Sequence, residues 1–147
     1  MEHLLVIQMF RDATHDDVGK CLTCAKHFVD FYGLDWDVES IIDTLNMVID
    51  KGVFILAEIN GEVVGGAAGI VSPTIWNRKQ LFFQEVFWWV EPEYRNTSIG
   101  IKLLRHLESK APEGTTISIS ILPETNIKQD TLAKLGYSIK ELTYIRK

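Results

Sequence analysis

Between Val90 and Ile101 the chain passes from an apolar run, Leu81 to Val90, into an amphipathic stretch that reaches Lys110. A strand that turns sharply into a helix presents several unpaired backbone N–H groups at one point, and that point carries the positive end of the helix dipole. Such a turn is an anion site, and a pyrophosphate suits it. Arg95 adds a fixed positive charge, and Ser98 offers a hydroxyl. The plainer alternative is a capped strand-to-helix turn with Ser98 or Thr97 at the N-cap. A second chemical group lies upstream. Glu85 is the lone charge in Leu81-Phe82-Phe83-Gln84-Glu85-Val86-Phe87-Trp88. Burial raises a carboxyl's pKa toward the range in which a general base works at neutral pH. Its plainer alternative is a solvent-facing side chain or a partner of Arg78 or Lys79.

A third cluster is Cys21-Leu22-Thr23-Cys24 with His27, at helical steps of three. Metal binding or redox chemistry is conceivable there, but a structural zinc site needs a fourth ligand and a redox pair normally opens a helix after a strand. Buried free thiols are the simpler reading. A fourth group mixes carboxylates with aromatic rings in Asp30 to Glu39, including Asp35 and Trp36. The loop around Trp76 supplies another ring. Both features favour a cation, although acids beside a turn also serve as helix caps.

The elements that must position these groups follow from periodicity. Leu4 to Phe10 reads as a strand. Val18, Cys21, Leu22, Ala25, Phe28 and Val29 have helical spacing, broken at Gly33, and Val38 to Ile49 repeats it up to Gly52. Val53 to Ile59, Asn60-Gly61 and Glu62 to Ile70 form a hairpin signal. Gly65, Gly66 and Gly69 imply a bulge or a close backbone approach in its second strand. Ser72 to Gln80 reads as a loop, Leu81 to Val90 as a strand and Ile99 to Lys110 as a helix. Thr115 to Leu122 reads as a strand, Asn126 to Leu135 as a short helix closed by Gly136, and Tyr137 to Arg146 as one or two last strands. The order predicts one α/β domain over residues 1–147, an antiparallel meander followed by a strand-helix-strand crossover.

Composition narrows the function classes. A chain of 147 residues, 46% of them hydrophobic, builds one sizeable core. A net charge of -5 disfavours nucleic acid as a partner, because phosphate contacts need clustered Lys and Arg. No apolar stretch has bilayer length, and the first residues lack a signal peptide's pattern, so no membrane partner and a cytoplasmic location are expected.

The Val90–Gly100 segment resembles the acyl-CoA signature of the GNAT-type N-acetyltransferases, roughly V-x-P-x-Y-R-G-x-G-I-G. Val90, Pro92, Tyr94, Arg95, Ile99 and Gly100 match, while Asn96 and Ser98 replace glycines. Asn tolerates a left-handed backbone better than most residues. The element order resembles the same family over nearly the whole chain. Details such as Phe87-Trp88-Trp89-Val90-Glu91-Pro92 and Leu135-Gly136-Tyr137 look most like small phage-encoded members.

The resemblance implies a mixed, mostly antiparallel sheet of six to seven strands flanked by about four helices. Strands four and five would splay to admit the pantetheine of acetyl-CoA. It implies a cofactor site at Trp88, Val90, Arg95, Asn96, Thr97, Ser98, Ile99, Gly100 and Ile101. Asn126 would lie beside the pantetheine, or cap a helix. Glu85 would be the catalytic base. In some members that carboxylate aligns with Gln84, so a bulge is needed to bring Glu85 round. The acceptor would be a small-molecule or peptide amine, contacted by Asp35, Trp36 and Trp76. Family members often donate a proton from a tyrosine on the last helix, where this chain has Leu132; Tyr137 and Tyr144 are expected to pack in the sheet. A homodimer is one arrangement consistent with the family. The rival reading is a non-catalytic CoA-binding or protein-interaction module on the same fold.

Overall fold

The computed structural model describes residues 7–125 and 127–147. The beginning of the expected first strand, Leu4 to Val6, and Asn126 lie outside the described residues. The strands are β1 (Gln8–Asp12), β2 (Val53–Ile59), β3 (Glu62–Pro73), β4 (Leu81–Val90) and β5 (Thr116–Ser118). The α-helices are α1 (Leu22–Phe31), α2 (Val38–Lys51), α3 (Ile99–Ser109) and α4 (Gln129–Lys134). The sheet runs in the order β1-β2-β3-β4-β5, antiparallel up to β4, with β5 parallel to β4.

Strand β2 is apolar at nearly every position because helices cover both faces of the sheet. Phe54 and Leu56 face α1 and α2, where they pack with Leu45, Val48 and Ala68. Ile55 and Ala57 face α3, where they pack with Ile99, Leu103 and Leu107. The β2–β3 hairpin turns at Asn60 and Gly61, both with positive φ, as this turn chemistry requires. A bulge places Val64 as an extra residue opposite the Ala57/Glu58 step. The glycines of β3 answer to crowding. A Cβ on Gly65 would come within 2.5 Å of the Trp89 carbonyl oxygen, and one on Gly69 within 2.5 Å of the Phe83 ring. An ion network fastens the outer strands: Arg11 of β1 bonds Asp17 at 2.7 and 2.8 Å and also pairs with Glu58 of β2.

The structure corrects the expected sheet. Among the described residues it has five strands, not six to seven. Tyr137 to Arg146 forms none. Ile139, Leu142, Tyr144 and Ile145 are 63–87% exposed. The segment's strand propensity and alternation are not matched by any pairing partner among the described residues. The expected strand Thr115 to Leu122 shrinks to Thr116–Ser118, for a reason at the candidate site. Two shorter corrections occur in helices. The first is preceded by 3-10 turns at His15–Asp17 and Gly19–Cys21, and the last begins at Gln129. Gly136, at φ +96°, closes α4 as expected.

Candidate active site

Strand β4 pairs with β3 along its whole length but with β5 only from Phe82 to Gln84. Two features part the strands at that point. In the β3–β4 ladder Ala68 faces Phe87 and Gly69 faces Glu85, so Val86 is an extra residue that bends β4. The bulge follows Glu85, so Gln84 and Glu85 remain consecutive pairs, with Ile70 and Gly69, on opposite faces of the strand. Beyond β5, the Ser120 N–H donates to Glu85 Oε1 at 2.9 Å instead of to a strand carbonyl. The carboxyl therefore bridges the mouth of the opening. Glu85 is half-buried, and burial pushes its pKa up to about 7, against a smaller lowering by the Ser120 bond. Neither Arg78 nor Lys79 has a hydrogen bond or ion pair with it among the described residues.

At the far end of β4 the chain makes a 3-10 turn at Pro92–Tyr94 and enters α3. Asn96 sits at φ +65°, the left-handed conformation that its glycine counterpart would supply. Ser98 has φ -78°, which any residue adopts, so neither replacement distorts the turn. Ser98 is the N-cap residue, but its hydroxyl makes no capping bond. Thr97 Oγ1 instead accepts from the Ile99 N–H at 3.3 Å and donates to the Tyr94 carbonyl. The first bond of the helix runs from the Lys102 N–H to the Ser98 carbonyl. Among the described residues the N–H groups of Thr97, Ser98, Gly100 and Ile101 therefore have no acceptor. Exposed Ser98 lies beside them. This is a set of orphan donors aimed at an anion.

Several expected cofactor residues act through the backbone or as braces. The Trp88 indole N–H donates to the Gly100 carbonyl at 3.0 Å and locks the first turn of α3 onto β4. Val90 packs in the α3-side core, and its carbonyl accepts Arg95 Nε at 2.9 Å. The Arg95 guanidinium lies 4.4 Å from the Trp89 ring centroid and 5.9 Å from that of Phe31. Arg95 thus braces the α1 side of the strand end, and its charge stands beside the amides rather than among them. Buried Ile99 and half-buried Ile101 hold the helix to the sheet.

The acceptor residues are not drawn together. Trp36 is half-buried, and its ring faces the chain's own Lys26, whose Nζ lies 5.7 Å from the centroid. Asp35 is exposed. Trp76 is 91% exposed on the loop between β3 and β4. Among the described residues no hydrogen bond, ion pair or ring contact joins these three.

Sequence reasoning overlooked Tyr32. It caps the end of α1, its ring tilted against that of Phe28 with centroids 4.6 Å apart. Its phenol pKa is raised by burial and by the charge of Glu85. The 3.6-residue stripe of α1 marks Phe28 and Tyr32 as neighbours but says nothing about Glu85. Neither Tyr137 nor Tyr144 packs in the sheet: Tyr137 donates to Glu108 Oε2 at 2.6 Å, and Tyr144 is exposed. Cys21 and Cys24 are free thiols, both pushed up by burial, Cys21 to about 11. His27 bonds Glu91 through Nδ1 at 2.7 Å, and Glu91 also accepts from the Trp89 indole. Among the described residues no three His, Cys, Asp or Glu side chains are grouped to hold a metal. Nor is any described helix long and apolar enough to cross a membrane.

The family profile described as "Acetyltransferase (GNAT) family" matches residues 22–137. The chain belongs to this family. Solved structures agree on the fold. A predicted acetyltransferase from Clostridium acetobutylicum, solved with acetyl-CoA, superposes with a TM-score of 0.74 at 17% identity, over 96% of each chain. A glucosamine-6-phosphate N-acetyltransferase from Arabidopsis thaliana gives 0.73 at 12% identity, over 96% of this chain and 98% of that one. An aminoglycoside N-acetyltransferase in complex with CoA gives 0.73 at 14% identity, over 100% and 99%. A comparison with curated proteins finds no match. GNAT acetyltransferases depend on acetyl-CoA, which is the co-substrate implied for this fold. The free amides of Thr97, Ser98, Gly100 and Ile101 suit an anion such as a pyrophosphate.

Proposed function

We propose that the protein is an N-acetyltransferase that moves an acetyl group directly from acetyl-CoA to a small-molecule or peptide amine. The observation that carries this reading is the position of Glu85: a carboxyl with pKa raised to about 7, at the point where β4 and β5 separate. A protonated amine has no lone pair to attack with, so a base must first take its proton. Glu85 is that base, directly or through one water. The co-substrate supplies an acyl group activated as a thioester. As the N–C bond forms and the C–S bond breaks, charge on the carbonyl oxygen is met by N–H groups on the free edge of β4 beyond Gln84. A thiol near pKa 8.5 leaves tolerably as thiolate and regains a proton from water, so a tyrosine at the position of Leu132 is dispensable. The amides of Thr97, Ser98, Gly100 and Ile101 hold the pyrophosphate, with Ser98 adding a hydroxyl.

Acetyl transfer to a panel of amines, read as release of the CoA thiol, tests the reading. Glu85→Gln is expected to lower kcat by about a hundredfold or more while acetyl-CoA still binds. Unchanged turnover in a folded variant would end the assignment. Asp35, Trp36 and Trp76 are retained as acceptor-side positions on the strength of their charge and rings alone. A cytoplasmic location belongs to the same reading, since two free cysteines suit a reducing compartment, and so does the option of a homodimer. Leu132 favours the second reading, a CoA-binding module without transfer. Tight CoA binding with no amine acetylated would select it.

A further inference from the structure

On the face of the sheet opposite α3 lies an apolar cavity of about 140 Å³, roofed by α1 and α2. Ala25, Phe28, Leu45, Phe54, Val86 and Phe87 contribute to its wall. Among the described residues no charged side chain lines it, and the polar groups there are the Thr44 hydroxyl, the Cys21 and Cys24 thiols and the Trp89 indole, whose N–H is bonded to Glu91. Both thiols are kept protonated by burial. A cavity of this size and polarity stays dry and accommodates a group about as large as benzene.

Its position gives it a use. Val86 and Phe87 follow Glu85 directly, and the bulge turns both toward the α1–α2 core. Phe28, in the cavity wall, packs at a tilt against Tyr32, which feels the charge of Glu85. The cavity wall therefore begins one residue along the chain from the base. The anion cradle belongs to α3, which packs on the opposite face. The cradle and the cavity thus lie on opposite faces of the sheet.

We propose, resting on the acetyl-transfer reading of Glu85, that this cavity is a binding site for a small apolar group, up to the size of a benzene ring, carried by the amine acceptor. The acceptor's nitrogen stays at Glu85, because the cavity wall offers an ammonium no charge and almost no hydrogen bonds. Its ring or branched alkyl group fills the space beneath α1 and α2.

The test compares kcat/KM for benzylamine and ethylamine with acetyl-CoA, in the wild-type protein and in Ala25→Leu and Thr44→Leu, which fill the cavity from different helices. Benzene binding, followed by NMR shifts at Val86 and Phe87, gives a readout independent of turnover. Benzylamine is expected to be preferred at least tenfold, and the preference should fall to about one in whichever filled variant folds. Benzene shifts should vanish with it. Equal use of the two amines, or a preference that survives both substitutions, would overturn the proposal. So would a preference for hexanoyl-CoA over acetyl-CoA that the substitutions abolish, because the cavity would then hold the acyl chain. Benzene shifts without acetylation of any amine would keep the apolar site and defeat the transferase reading. Turnover with neither shifts nor preference would do the reverse.

Discussion

The two edges of β4 carry the same backbone and meet opposite fates. Along β3 it pairs at nine positions, from Leu81 to Val90 with one bulge, whereas along β5 it pairs at three and then stands free. The closed edge belongs to a two-faced core in which Phe54, Leu56, Ile55 and Ala57 are all nearly inaccessible. The open edge carries a carboxyl with a raised pKa, a neighbouring phenol and, at its end, four orphan amides. Ladder bonds on one side hold the strand rigid enough for the other side to be left unpaired. The bulge at Val86 is the device that separates the two regimes, since it keeps the β3 ladder running while it bends the strand away from β5.

The contrast can be broken most severely on the closed side. Asp17→Ala removes one partner of the half-buried Arg11 network, which keeps Glu58, and should cost about 2–3 kcal/mol in urea unfolding at pH 7. Arg11 holds the Asp17 carboxyl below the usual carboxylate range. Its contribution is therefore full above the unfolded pKa and is lost as pH falls toward the folded one, so the gap between variant and wild type should narrow below about pH 4. At the boundary between the edges, Gly69→Ala drives a methyl into the buried Phe83 ring and should cost about 2 kcal/mol by the same measurement. CoA affinity should suffer less than stability, because the amides lie at the other end of β4.

On the open side, Ser98→Pro keeps a φ that proline accepts but removes one cradle amide. Calorimetric titration with CoA should show Kd rising about tenfold, or about 1.4 kcal/mol, with little change in unfolding. A further effect on the open side is the cost of charging Glu85. Its folded pKa is raised, so the folded state holds the extra proton and wild-type stability falls as pH rises from the ordinary carboxyl value through about 7. Glu85→Gln lacks that loss. Relative to wild type it should gain roughly 4–8 °C in Tm between pH 5 and pH 8.

How legible these regions were follows the same division. The hairpin at Asn60-Gly61, the run Leu81 to Val90 and the turn into α3 are written in local chemistry: turn residues, apolar periodicity and a motif of adjacent positions. Asn96 adopts the left-handed backbone that its residue type tolerates. Glu85 was legible as a lone charge in an apolar run, but the bulge that follows it was not. The length of β5 was not legible, because Thr115 to Leu122 has strand propensity throughout, and what stops the pairing is a side chain from another strand. Tyr137 to Arg146 misled in the other direction, by strand propensity that finds no pairing partner among the described residues. Tyr32 and the cavity depend on how α1 crosses the sheet, which no local pattern encodes. Asp35, Trp36 and Trp76 were chosen by residue type, and the fold does not join them by any contact.

The most direct measurement is the pH dependence of CoA-thiol release from acetyl-CoA with an amine panel, in wild type and in Glu85→Gln side by side. Glu85 must be deprotonated to accept a proton, so the wild-type rate should rise with pH through a midpoint near 7 and level off above it. The variant should be slower by about a hundredfold or more and lack that inflection. A wild-type profile with no inflection near 7, or one that Glu85→Gln leaves in place, would contradict the assignment of the open edge of β4 as the site of acetyl transfer.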